Sequence, residues 1–184
     1  APSSANARSR VTDVAPTFAH FVWLSAPPRG PSRLGAARRR STTLNMPREI
    51  VYTVRVEFGD CDPARIVWFP NFFRWIDAAS RHFFVQCGVP PWHETEATLG
   101  IIGTPLVDTH AKFIQTASYG DVLQVHVQVA EWRAKSFVQR YRIQRGDDLI
   151  MECDEVRIFA ARRDGGGTAI RALPIPPEIR ALCE

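Results

Sequence analysis

The 184-residue sequence lacks several features that would assign it to a common class of protein. No segment approaches the roughly 18 consecutive apolar residues that span a bilayer, so we expect no transmembrane helix and no membrane partner. Four cysteines are present without a C-x-x-C pair or a secretory apolar segment ahead of them, which indicates neither a zinc site nor a disulfide framework. We therefore expect free thiols in a reducing cytoplasm, with no metal and no cofactor.

Basic charge is scarce in the part of the chain that is expected to fold. The net charge is +4, but residues 1–45 contain seven arginines against one acid, Asp13, so the remaining residues carry a net charge of −2. A nucleic-acid-binding domain needs clustered lysine and arginine on its own surface. The charge distribution therefore predicts no nucleic-acid partner.

Residues 1–45 also lack a sustained apolar period and are dominated by Ala, Pro, Arg, Ser and Gly. We interpret them as a disordered basic tail. Three origins stay open: an organelle-targeting segment, a basic interaction arm, or sequence upstream of a mis-assigned start codon. Met46 stands directly before a strand pattern, which favours the third origin and predicts a single domain over residues 46–184.

The first elements of that domain are a strand and a long helix. Alternating apolar residues predict a half-buried strand over residues 50–58. Proline suits the first position of a helix, and glycine suits its end, so we expect a helix from Pro70 to just before Gly88. Its apolar residues recur at spacings of three and four and are Phe72, Trp75, Ile76, Ala79, Phe83 and Cys87, with Phe73 and Phe84 widening the stripe. This helix should be largely enclosed by a sheet.

Downstream, the apolar period changes to two. It predicts strands over residues 104–114, 123–130, 137–145 and 149–162, after one or two helical turns between Val89 and Gly100. Their short connections are typical of antiparallel neighbours, and Gly165–Gly167 fits a loose hairpin turn. The fold class is therefore α+β, with one long helix against an antiparallel sheet.

Two acids, Asp60 and Asp62, lie in the turn between the first strand and the helix. Acids are common turn formers, so a purely structural role stays open. A carboxylate just ahead of a helix also lies near unpaired backbone N–H groups and the positive end of the helix dipole, which can polarise a carbonyl. The D-x-D spacing also imitates the start of a Mg-dependent phosphatase, an alternative that requires a parallel sheet.

The stretch Val56–Arg81 closely resembles the hot-dog-fold 4-hydroxybenzoyl-CoA thioesterases of the aspartate-dependent type, and the resemblance spans residues 48–184. Other matching segments are Cys87–Trp92, Gly103–Pro105, Thr116–Tyr119, Glu131–Arg133 and Lys135–Arg140. The resemblance implies an antiparallel sheet wrapped around one central helix. It also implies a homodimer or homotetramer that hydrolyses an aromatic acyl-CoA, such as 4-hydroxybenzoyl-CoA, without a metal.

The same resemblance implies roles for individual residues. Asp62 would be the catalytic carboxylate, as nucleophile or general base, and the backbone N–H of Phe69 would polarise the thioester carbonyl. Asp77 would contact the hydroxyl of the acyl ring, and Thr104 would be a substrate-binding threonine that is supplied across the dimer interface. The residues aligned with those that hold the CoA phosphates are Arg133, Lys135, Ser136 and Arg171.

Three residues depart from the family pattern. Arg65 replaces a glycine, and if that position requires positive φ, the arginine costs about 1 kcal/mol or more. Phe69 replaces a tyrosine, which is tolerated if only its backbone N–H acts, and Ala134 replaces an arginine beside the predicted CoA site. Arg65 is the main reason to keep a second alternative, a hot-dog domain that binds acyl-CoA without hydrolysing it.

Overall fold

The computed structural model describes residues 47–163 and 168–184. The predicted tail over residues 1–45 and the predicted hairpin turn at Gly165–Gly167 lie outside these ranges. Within them, no helix has the length and apolar character needed to cross a lipid bilayer.

The central element is a five-stranded sheet in the order β1-β3-β4-β5-β2. Its strands are β1 (Glu49–Arg55), β2 (Leu106–Phe113), β3 (Val122–Trp132), β4 (Phe137–Arg145) and β5 (Asp148–Arg157). Every neighbouring pair is antiparallel, as the short turns between β3, β4 and β5 predict. The antiparallel α+β architecture is confirmed.

The long helix α1 (Pro70–Gln86) packs its apolar face against the sheet. It begins at the predicted proline, which lacks the N–H that a first-turn residue would leave unpaired. Gly88 follows it with φ +85, a conformation that glycine adopts without strain. All six residues of the predicted stripe are buried. Because burial of a large apolar side chain contributes about 1.5–3 kcal/mol, this face is a main source of stability.

The first strand is shorter than predicted. It ends at Arg55, and Phe58–Asp60 forms a 3₁₀ turn instead of continuing the strand. The Asp60 Oδ2 atom accepts a hydrogen bond from the Glu57 N–H at 2.9 Å. The alternation of apolar residues could not predict this early end of the strand, because the 3₁₀ turn depends on the hydrogen bond from the Glu57 N–H to the Asp60 side chain.

The last predicted strand is divided into two. β5 ends at Arg157, and β6 (Ala160–Arg162) pairs instead with β7 (Ile170–Ala172) in a separate two-stranded sheet. Between them the backbone turns toward the segment before β2, because Ile158 N–H bonds to Pro105 O at 3.3 Å and Ala160 N–H bonds to Gly103 O at 3.1 Å. Two short helices, α2 (Trp92–Leu99) and α3 (Pro177–Cys183), complete the described domain.

Candidate active site

The loop that carries Asp62 is shaped by its own backbone. Cys61 and Val67 form an antiparallel bridge across it. Inside the bridge, Asp62 N–H donates to Ile66 O at 2.9 Å, and Arg65 N–H donates to Asp62 O at 2.8 Å. Arg65 has φ 66, so this position does require the left-handed conformation that a side chain disfavours. We call residues 61–67 the Asp62 loop.

Asp60 and Asp62 have different environments although they are two residues apart. Asp60 is buried, and besides the Glu57 N–H its carboxylate accepts a 2.6 Å charged hydrogen bond from Arg74. Its carbonyl oxygen accepts bonds from Asn71 Nδ2 and Trp68 N–H, both at 2.9 Å. Asp60 therefore joins the 3₁₀ turn to the start of α1 and is a structural residue.

Asp62 is half-buried, and its carboxylate is far less constrained. Its Oδ1 atom accepts one hydrogen bond, from Ala64 N–H at 2.8 Å. Within residues 47–163 and 168–184, its carboxylate has no ion-pair partner and no second hydrogen bond. Such a group keeps lone pairs for a substrate or a water molecule.

Phe69 lies directly before α1, where the positive end of the helix dipole is located. Asn71 N–H bonds to Trp68 O at 2.9 Å, and Phe72 N–H bonds to Phe69 O at 3.2 Å. The Phe69 N–H has no acceptor among the described residues, and Pro70 has no N–H. This leaves one backbone donor at the helix start for a developing negative charge.

An apolar cavity of about 200 Å³ lies beside this helix start. The Asp62 loop borders it through Ile66 and Val67, and α1 borders it through Phe72. Phe69 and Phe113, the last residue of β2, complete the aromatic part of its wall. The cavity can hold an apolar group beside Phe69, the residue that carries the free N–H.

Asp77 and Thr104 lie together at a second place, around Arg157. The guanidinium of Arg157 is buried, with 5% of the residue exposed. It donates from Nη2 to Asp77 Oδ1 at 2.9 Å, from Nη1 to Thr104 O at 3.0 Å, and from Nε to Glu155 Oε2 at 2.8 Å. We call Asp77, Thr104, Glu155 and Arg157 the Arg157 cluster.

The neighbours of Arg157 stabilise its charged form. Burial lowers the pKa of Arg157, but the negative charge of Glu155 and the hydrogen bonds to Glu155 and Asp77 outweigh it, so its pKa lies above the ordinary value. Sequence reasoning singled out Asp77 and Thr104 but missed Glu155 and Arg157. A signal for them was available in β5. Glu155 and Arg157 stand at alternate positions after Cys153, so all three side chains lie on the same, core-facing side of the strand.

A cavity of about 360 Å³ adjoins the cluster, and Asp77, Thr104 and Arg157 line it together with Ser80, Arg81 and Trp92. The Arg81 guanidinium stacks over the Trp92 ring at 4.6 Å. Asp77 follows Phe69 by eight residues, about 12 Å along α1. The two cavities share no lining residue. Within one chain, Asp77 and Thr104 therefore line the same cavity, but the Asp62 loop borders the other one.

The predicted CoA-binding residues occupy the turn between β3 and β4 and the nearby C-terminal segment. Arg133 N–H bonds to Ser136 O at 2.8 Å, which closes the turn. The Arg133 side chain is exposed and paired with Glu131 through two hydrogen bonds of 3.0 and 2.9 Å, and this contact lowers the Glu131 pKa. Lys135 is exposed and has no ion pair within the described part of the chain.

The C-terminal segment meets the same turn. Ile175 N–H bonds to Ala134 O at 3.1 Å, and Arg171 lies four residues before Ile175, exposed on β7. The three predicted phosphate-binding cations, Arg133, Lys135 and Arg171, therefore belong to two segments that are hydrogen-bonded to each other.

Comparison with known proteins assigns the family. Residues 56–182 match the thioesterase-like superfamily. The chain belongs to this superfamily. It is an enzyme, a thioester hydrolase of the acyl-CoA thioesterase class, and its hot-dog fold is the predicted one. The phosphatase alternative is wrong, since all neighbouring strands of the central sheet are antiparallel.

Two curated relatives are informative. The chain is 50% identical to the 4-hydroxybenzoyl-CoA thioesterase of Pseudomonas sp. (strain CBS-3) over 143 residues, which are 75% of this chain and 99% of the relative. It is 25% identical to a 1,4-dihydroxy-2-naphthoyl-CoA hydrolase of Prochlorococcus marinus (strain NATL2A) over 143 residues, 74% of this chain and 83% of the relative.

Solved structures agree with these relatives. A mutant 4-hydroxybenzoyl CoA thioesterase complexed with 4-hydroxybenzoyl CoA superposes with a TM-score of 0.69 at 48% identity, over 74% of this chain and 99% of that one. A gentisyl-coenzyme A thioesterase superposes with a TM-score of 0.61 at 29% identity, over 71% and 99% of the two chains. Both neighbours share the fold described above.

Proposed function

We propose that this enzyme hydrolyses an aromatic acyl-CoA such as 4-hydroxybenzoyl-CoA to free CoA and the carboxylic acid, with Asp62 acting on the thioester carbonyl. The observation that carries the proposal is a half-buried carboxylate with a single hydrogen bond, on a loop that borders the same cavity as a free helix N-terminal N–H. The 50% identity to the Pseudomonas 4-hydroxybenzoyl-CoA thioesterase supports the acyl group.

The chemistry follows from these two groups. As nucleophile, the Asp62 carboxylate adds to the thioester carbon, the CoA thiolate leaves, and water then hydrolyses the acyl anhydride. As general base, Asp62 instead takes a proton from the water that attacks. Both routes place negative charge on the carbonyl oxygen, and the Phe69 N–H stabilises that charge. Phenylalanine in place of tyrosine is compatible with this role, because the backbone donates.

The acyl ring and the CoA moiety are assigned to the remaining predicted residues. The cavity beside Phe69 is apolar and suits an aromatic ring. Asp77 is the acceptor for a ring hydroxyl, and the exposed cations Arg133, Lys135 and Arg171 bind CoA phosphates with help from Ser136. Glu131 competes for Arg133 in the free enzyme, and a phosphate can replace it, since the pair is exposed.

We further propose a homodimer, or a homotetramer built from it, in which two chains complete each site. Strand β2 is at the edge of the sheet, with β5 as its only neighbour in the described residues, and Leu106, Val107 and Phe113 are exposed along it. An exposed apolar edge is a template for pairing with another strand. Because a two-fold axis makes such pairing antiparallel, the start of β2 in one protomer meets the end of β2 in its partner.

This pairing joins the two cavities. Thr104 precedes the start of β2, whereas Phe113 ends β2 and borders the cavity beside Phe69. One protomer therefore supplies the Arg157 cluster to the site in which its partner supplies the Asp62 loop. A cytoplasmic location fits the four free thiols, a state that reducing compartments maintain.

The first experiment measures release of free CoA thiol from 4-hydroxybenzoyl-CoA, benzoyl-CoA, phenylacetyl-CoA and a short aliphatic acyl-CoA. We expect the aromatic substrates to be fastest, and Asp62→Asn to lower kcat by about 10²–10⁴-fold, the usual contribution of a positioned acid or base. Wild-type rates in Asp62→Asn would refute the role of Asp62, and equal rates for all four substrates would refute the aromatic preference. Incorporation of labelled water in a single turnover separates the nucleophilic from the general-base route.

A further inference from the structure

Arg157 connects three elements through its three donating nitrogen atoms. It lies at the end of β5, and it bonds to Glu155 on its own strand, to Asp77 on α1, and to the Thr104 carbonyl ahead of β2. Two of these partners, Asp77 and Thr104, are the predicted substrate-binding residues. A single buried guanidinium therefore holds both of them in one arrangement.

The direction of this guanidinium is fixed from behind. Glu155 is 2% exposed, and its carboxylate accepts the Nε–H of Arg157 at 2.8 Å. A guanidinium is planar, so fixing Nε–H also fixes the directions in which Nη1 and Nη2 donate. The buried acid also balances a cation that would otherwise be costly to bury.

The orientation of the Asp77 carboxylate depends on its hydrogen bond from Arg157. Its side chain is 74% exposed, and an exposed carboxylate on a helix surface ordinarily samples several rotamers in water. Here Oδ1 is held at 2.9 Å from Arg157. Oδ2 accepts no hydrogen bond from the described residues and is free to accept one from a substrate hydroxyl.

We propose that Arg157, anchored by Glu155, is the positioning residue through which Asp77 discriminates a hydroxylated from an unsubstituted aromatic acyl group. The inference rests on the proposed function, because it requires that Asp77 contacts the ring hydroxyl. Arg157 acts through Asp77 and Thr104, because its three guanidinium nitrogens already donate to Glu155, Thr104 and Asp77. Its loss therefore affects substrate choice more than the chemical step.

The test compares the kcat/KM values for 4-hydroxybenzoyl-CoA and benzoyl-CoA in the wild type and in Arg157→Lys. Lysine keeps the charge beside Glu155 but lacks the fork that reaches Asp77 and Thr104 together. We expect kcat/KM for the hydroxylated substrate to fall about tenfold, equivalent to about 1.4 kcal/mol, mainly through KM. The value for benzoyl-CoA should change by less than about threefold, or 0.7 kcal/mol on the same scale.

A matched control is Arg140→Lys. Arg140 also makes two hydrogen bonds to an aspartate, at 2.8 and 2.9 Å to Asp154, but it is exposed and belongs to neither assigned cavity. The preference for the hydroxylated substrate should stay at the wild-type value in this control. If Arg157→Lys fails to fold, the double variant Arg157→Gln with Glu155→Gln removes both buried charges together, and the same loss of preference is expected.

The Asp77→Asn variant separates this inference from the function on which it rests. If Asp77→Asn abolishes the preference while folded Arg157→Lys keeps it, Arg157 does not position Asp77 and the inference is overturned. Equal losses on both substrates in Arg157→Lys also overturn it. If Asp77→Asn itself leaves the preference intact, the assignment of Asp77 to the ring hydroxyl has failed, and the inference fails with it.

Discussion

In the Asp62 loop, the proposed catalytic carboxylate accepts one backbone hydrogen bond, and main-chain bonds and one left-handed residue shape the loop around it. In the Arg157 cluster, the carboxylate of Asp77, which is proposed to recognise the substrate, is bonded to a buried cation that a buried acid holds in turn. The group assigned to bond making is thus left open to its reaction partner. The group assigned to recognition is held in place, because discrimination requires a fixed acceptor.

The prediction with the largest expected effect concerns the composition of one active site. It tests whether the Asp62 loop and the Arg157 cluster of a site belong to the same chain or to two chains. Asp62→Asn and Asp77→Lys chains are prepared separately, mixed in equal amounts and allowed to exchange subunits. If a partner supplies the Arg157 cluster, each mixed dimer contains one intact site and one doubly altered site. Random exchange then restores about a quarter of wild-type 4-hydroxybenzoyl-CoA hydrolysis, as expected for an isologous dimer.

The control for this mixture is each variant alone, taken through the same exchange procedure. Activity equal to the mean of the two parents would show that Asp62 and Asp77 of one chain act together. A monomeric mass in sedimentation would contradict the shared site directly.

The second prediction contrasts Asp60 with Asp62 inside the first region. Asp60→Asn weakens the pair with Arg74 and the bond to Glu57 N–H, so we expect the free energy of unfolding to fall by about 1–2 kcal/mol. Asp62→Asn should change it by less than about 0.5 kcal/mol, as is usual for a residue with few contacts, and should lose activity. Denaturant unfolding of both variants checks the contrast, and equal destabilisation would remove it.

The smallest effect concerns the strain in the Asp62 loop. Arg65→Gly relieves a left-handed residue, which costs about 1–2 kcal/mol, but glycine loses about 0.5–1 kcal/mol more entropy on folding. The expected net gain in unfolding free energy is therefore about 0.5–1 kcal/mol. Arg65→Ala keeps a side chain at φ 66 and is the matched control. If alanine stabilised the protein as much as glycine, the effect would come from the arginine side chain and not from the backbone.

The sequence predicted those parts of the fold and site that depend on neighbours along the chain. The start of α1 at Pro70 and its buried stripe follow from local spacing. The positive φ at Arg65 was anticipated as a conditional requirement and is present. The resemblance supplied the roles of Asp62, Phe69 and Asp77, which remain proposals, while the family and the fold are established.

Other features could not be predicted because they depend on residues far apart in the sequence. The pairing of Asp77 with Arg157 joins positions 80 residues apart. The interruption of the predicted strand over residues 149–162 depends on hydrogen bonds from Ile158 and Ala160 to the segment before β2. Periodicity carries no information about such partners, since it reports only which face of an element is buried.

By itself, the sequence determined an α+β domain with an aromatic helix against an antiparallel sheet, and a carboxylate placed just before that helix. Hydrophobic spacing and turn residues are sufficient for this, because they act within a few residues. Only the tertiary structure decided that Asp60 is structural while Asp62 is open, and that Arg157 holds Asp77 and Thr104 together. The physical reason is burial. A charged group in the interior needs a hydrogen-bonded partner, and only the folded chain determines which partner lies within reach.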